Sequence, residues 1–169
     1  MNLKVHRMPA ESSILDMLTL MLALHSLVRW AAIAFGFAII IRSFSGMSKG
    51  SFEDADGRFG RLFTISLDVQ MLVGTLMYLV FSTITTSAFD NMGSAMSNAV
   101  TRFWIVEHPT MMFAALVFAH IGVVRVRKAP EAKAKHRAGL IFFGIAMLLI
   151  LVGTPWPFSL AARPILPFL

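Results

Sequence analysis

The chain reads as an all-α integral membrane protein, a bundle of four transmembrane helices with a short interfacial helix in its second loop. Three observations predict this. Of the 169 residues, 57% are hydrophobic and only 14% charged, with a mean hydropathy of +0.73, which is more apolar surface than one soluble core can hide. Four stretches, about 18–41, 62–81, 103–124 and 138–158, each supply the roughly 20 mostly apolar residues that a bilayer crossing needs. Basic residues gather in the first and third connections between them. The whole chain, 1–169, is expected to form one domain.

The first stretch follows a basic start with Lys4, His6 and Arg7 and has no small-residue cleavage site before it. At about 24 residues it is nearer a true span than a signal-peptide core, so it is expected to be retained. His25, Arg29, Ala32 and Gly36 share one stripe on it. The second stretch carries Gln70, Gly74 and Tyr78 on one face, with Asp68 turned about half a circle away, so Asp68 and Gln70 must meet different neighbours. Loop two, Ser82–Thr101, sets Phe89, Met92, Met96 and Val100 at helical spacing, the pattern of a helix lying in the membrane interface. The third stretch aligns His108, Met112, Ala115, Ala119 and Gly122, small residues among them that let helices approach closely in lipid. The fourth runs into a tail, 155–169, whose four prolines cannot continue a helix. Trp156 is expected at the interface, where tryptophan is enriched.

Charge placement orients the bundle. Loop one holds Arg42, Lys49, Arg58 and Arg61, and loop three holds Arg125, Arg127, Lys128, Lys133, Lys135 and Arg137, ten basic residues against four on the other side, Lys4, Arg7, Arg102 and Arg163. The positive-inside rule therefore predicts cytoplasmic loops one and three, and both termini extracytoplasmic, in a bacterial cytoplasmic membrane. The net charge of +6 fits contact with anionic lipid heads. It does not fit nucleic acid, because the basic residues flank spans and no aromatic residues are interleaved with them. The absence of cysteine excludes disulfides, thiolate metal sites, iron–sulfur clusters and c-type haem attachment. No nucleophile arrangement, phosphate loop or carboxylate-rich metal site is visible, so no catalytic residue and no metal ligand set is assigned. The twelve methionines read as apolar filler rather than copper ligands.

Ionisable side chains inside spans are costly and point to function. His25, Tyr78 and His108 each lie seventeen residues from a basic anchor, Arg42, Arg61 and Arg125 respectively. That is about 25 Å of helical rise. With Arg29 one turn deeper and Glu107 beside His108, these residues can assemble one polar cluster in the outer leaflet. Arg29 needs a counter-charge in hydrocarbon, Glu107 first and Asp68 second. Asp68 and His120, seven and five residues from Arg61 and Arg125, can form a second pair near the cytoplasmic face. Two neutral imidazoles at matched depth, His25 and His108, suit a b-type haem; each can equally hydrogen-bond a neighbour in a packed core. A quinone could use His25, Tyr78, Glu107 and His108; ion pairing that supports the bundle is the competing account. A second haem lacks ligands, since His108 and His120 are 12 residues apart and His136 sits at or beyond the start of the fourth helix.

The strings Leu24-His25-Ser26, Leu67-Asp68-Val69-Gln70 with Gly74 and Tyr78, Arg102-Phe103 with Glu107-His108-Pro109, Lys135-His136-Arg137 and Pro155-Trp156-Pro157-Phe158 carry a resemblance that spans nearly the whole chain. They resemble a group of small bacterial four-helix membrane proteins labelled cytochrome b-like, with Glu-His-Pro the most specific piece. In size and setting the chain is also similar to accessory subunits of alternative complex III-type quinol-oxidising complexes. The resemblance implies an accessory subunit of an electron-transfer complex, in contact with other membrane subunits and lipid. Its polar cluster would support the bundle or border a quinol or haem b site. A stand-alone b-type cytochrome and a small carrier or metal-handling protein are the alternatives. The Pro-rich tail and one helix face are expected to dock on a partner.

Overall fold

Four long helices close a ring in which each packs on two neighbours. The computed structural model describes residues 9–164. The N-terminal arm with Lys4, His6 and Arg7, and the last five residues of the tail, lie outside the described residues. The helices are α1 (Pro9–Lys49), α2 (Asp54–Leu76), the short α3 (Thr83–Asp90), α4 (Met92–Ser97) and α5 (Ala99–Arg102), then α6 (His108–Lys128) and α7 (Ala132–Gly153). A π-helical segment, Met77–Phe81, extends α2, and a second, Phe103–Glu107, leads into α6. Helix α1 packs on α2 and α7, and α6 packs on the same two, so α1 and α6 face each other across the bundle. Four helices are long and apolar enough to cross a membrane, and the protein is an all-α multi-pass membrane protein.

The ends of the helices differ from those expected, for local reasons. Helix α1 continues past residue 41 to Lys49 and stops at Gly50, whose φ of 71° is the left-handed conformation that ends helices. Helix α2 begins at Asp54, well before residue 62, because Glu53 and Asp56 form a capping box, the Glu53 N–H donating to Asp56 Oδ2 at 2.8 Å. Helix α7 occupies Ala132–Gly153 rather than 138–158. Pro155 drives the preceding Thr154 into an extended conformation and ends it. Loop two is three short helices instead of one. Ser82, Asn91 and Asn98 each cap a new start by accepting from the N–H of Thr85, Ser94 and Thr101. The resulting cap is amphipathic as its spacing requires: Phe89, Met92, Met96 and Val100 are exposed, while Ala88, Ala95 and Ile105 form a small core beneath.

The main core stacks Phe63, Phe143 and Met147 among Ala32, Ala115, Ala119 and Ala146. Small residues make this approach feasible: a Cβ at Gly36 would stand 2.9 Å from both Met147 Sδ and Phe63 Cε2. At the loop-one end, Arg42 holds Asp56 at 2.6 Å and Glu53 at 3.0 Å. His136, fully buried, bonds through Nε2 to the Ser51 carbonyl at 2.8 Å and packs on Phe52. Loop one is thereby fastened to the start of α7. At the other end the described tail folds back on its own bundle. Trp156 donates from Nε1 to the Leu151 carbonyl and meets Trp30, and Arg163 lies 5.1 Å over the Trp104 ring. These contacts hold the start of the tail on the bundle, while Phe158 and Leu160 remain exposed.

Candidate functional site

His25 on α1 and His108 at the start of α6 face each other across the bundle, their ring centroids 6.3 Å apart and their planes inclined by 62°. The local sequence explains how His108 gets there. Pro109 has no N–H, so the Ile105 carbonyl loses the donor that an α-helix would aim at it. The chain passes this point as the π segment Phe103–Glu107, and the Tyr78 hydroxyl donates to Ile105 O at 2.9 Å. His108 then enters the interior beside the rings of Phe103 and Trp104.

The far end of α7 completes the hold on His108. Helix α7 stops at Gly153, which leaves that carbonyl without an intrahelical partner. His108 Nδ1 lies 2.8 Å from it. A carbonyl only accepts, so Nδ1 carries the proton and the lone pair of the neutral ring is on Nε2. His25 is positioned through its backbone, whose carbonyl accepts from Gln70 Nε2 at 2.9 Å. Gly74 lies against the ring, where an added Cβ would stand 3.4 Å from His25 Cε1. His25 Nδ1 is buried and makes no hydrogen bond among the described residues. A buried ring nitrogen without a hydrogen-bond partner is one that a ligand would satisfy.

The 6.3 Å between the ring centroids can be set against the length of a metal bridge between two imidazoles. Two metal–nitrogen bonds of about 2 Å each, plus the ring radii, separate ring centres by about 6 Å. Among the described residues no three His, Cys, Asp or Glu side chains converge. A haem iron takes four ligands from its own porphyrin and needs only two from protein.

The remaining predicted residues do not join the pair. Glu107 turns outward and binds Arg102 Nε at 2.9 Å; neighbouring helical residues point about 100° apart, so a His108 aimed inward sends Glu107 out. The Tyr78 hydroxyl donates to Ile105 O rather than to either imidazole. Arg29 donates to Ser26 Oγ at 2.9 Å. Neither expected carboxylate is its ion-pair partner: Glu107 is on Arg102, and Asp68 is on His120 at 2.8 Å. The Asp68–His120 pair forms as its spacing predicts, on the outer surface of the bundle. Gln70 and Asp68 do reach different helices, α1 and α6.

No family model, curated protein or solved structure matches this chain. Function must accordingly be read from the site. The sequence did not single out the Gly153 carbonyl, the Gln70 link to His25 or the Arg102–Glu107 pair. The first was signalled by Gly-Thr-Pro, which ends α7 at the depth of His108.

Proposed function

We propose that this protein is a b-type cytochrome of a bacterial cytoplasmic membrane, holding one haem between His25 and His108 and passing single electrons within a membrane electron-transfer chain. The observation that carries this reading is the facing imidazole pair, with the Gly153 carbonyl setting the His108 tautomer so that Nε2 is the ligating nitrogen. A ligating histidine commonly donates its other N–H to a carbonyl, which fixes the ring and raises its basicity. The haem would supply a one-electron ferric–ferrous couple. The chain's own residues would hold it: His25 and His108 as the two protein ligands, Gly74 beside the His25 ring, and Met111 and Met112 beside Gly153 as flexible side chains able to yield to a planar group. In the orientation set by basic loops one and three, the site lies towards the extracytoplasmic face.

Expression with haem supplied should give a purified protein whose reduced form shows a b-type α-band. The band should vanish in both His25→Ala and His108→Ala while helicity is kept. A helical, haem-supplied wild type without the band defeats this reading. The runner-up then takes over, an accessory subunit of a quinol-oxidising complex. It is favoured by the exposed row Phe89, Met92, Met96 and Val100 together with Phe158 and Leu160, a surface suited to a neighbouring subunit.

A further inference from the structure

At the basic end of the bundle, far from the histidine pair, a groove of about 900 Å³ runs between α6 and α7. Its wall on α6 is built by Ile121, Val124, Arg125 and Lys128, and Phe142 closes it from α7. The spacing i, i+3, i+4, i+7 puts those four residues on one helix face. Their order matters. Apolar side chains line the part nearer the bundle centre, and the two cations stand at the mouth, where α6 ends at Lys128. Elsewhere on the molecule Arg42 and Arg102 are neutralised by carboxylates, whereas Arg125 and Lys128 make no ion pair among the described residues. His120, also in the lining, holds the Asp68 carboxylate at 2.8 Å and so keeps that negative charge engaged.

Paired cations without counter-charge above an apolar trough, at the level where a membrane helix leaves the hydrocarbon, match the two halves of a phospholipid. We infer that this groove binds an anionic phospholipid, its phosphate between Arg125 and Lys128 and an acyl chain along Ile121, Val124 and Phe142. The apolar wall disfavours a free phosphate ion, and the unpaired cations favour a net negative headgroup over a zwitterionic one. Because the groove shares no residue with the histidine pair, this inference stands or falls apart from the haem reading.

The full chain, purified and delipidated in detergent, would be titrated with phosphatidylglycerol, phosphatidylcholine or inorganic phosphate, and followed by native mass spectrometry and thermal unfolding. Phosphatidylglycerol should be retained and raise the Tm, and the other two should not. Arg125→Gln with Lys128→Gln should weaken retention roughly 30-fold. Lys133→Gln with Arg137→Gln, which removes the same charge outside the groove, should leave it unchanged. Val124→Trp fills the trough without altering charge and should also block retention, which keeps the test decisive if the double variant fails to fold. Equal retention of phosphatidylcholine, equal loss in the Lys133/Arg137 control, or undiminished retention by Val124→Trp would overturn the proposal.

Discussion

The hydroxyl of Tyr78 donates to the carbonyl of Ile105 at 2.9 Å, replacing the backbone donor that Pro109 cannot provide. A membrane helix tolerates proline only where something else satisfies the freed carbonyl. Here the substitute comes from a neighbouring helix, from a residue 27 positions before Ile105 in sequence.

Tyr78→Phe should therefore cost about 1–3 kcal/mol, the penalty of leaving a buried carbonyl unpaired. Pro109→Ala restores an N–H at that point, and the same Tyr78→Phe change made in that background should cost measurably less. Unfolding in mixed detergents gives the four stabilities of the cycle. Strict additivity would show that the tyrosine does not stand in for the missing backbone donor.

Gly46 lies where an added Cβ would overlap the His136 ring. Gly46→Ala should push the ring off the Ser51 carbonyl and destabilise by about 1–3 kcal/mol, the usual cost of overpacking. His136→Ala made together with it opens the space, and the double variant should be more stable than the sum of the two losses implies. Unfolding curves with equal slopes would confirm that stability alone has changed.

Arg42 bonds Asp56, whose side chain is only 5% exposed. Arg42→Gln leaves that carboxylate with its capping bond to Glu53 N–H but without its cation. A loss of about 2–3 kcal/mol is expected. Asp56→Asn added to Arg42→Gln removes the stranded charge while keeping an acceptor for the cap, so it should recover part of the loss. If the second change deepens the loss instead, the charge is not what the first one exposed.

Orientation is testable because the chain contains no cysteine. Single substitutions Ser51→Cys and Lys133→Cys, in loops one and three, should be shielded from an impermeant thiol reagent added to intact cells. Ser94→Cys, in loop two, should react. The reverse pattern would place the histidine pair towards the cytoplasm.

By itself the sequence determined the spans, the basic loops, the matched depth of His25 and His108, and the Asp68–His120 pair. All of these follow from distance along a helix and from position around its own axis. Only the tertiary structure decided that Glu107 turns outward to Arg102, that Gly153 receives His108, and that loop two breaks into three capped helices. Spacing gives height and relative face, but not the rotation of one helix against the next. That rotation is set by how Phe63, Phe143 and Met147 fit among the small residues of facing helices. The π segment before Pro109 shifts the phase of everything after it, because its wider turn takes up extra residue per rotation. Glu107 and His108, neighbours about 100° apart around one helix, part company: His108 turns in to His25 and Glu107 turns out to Arg102.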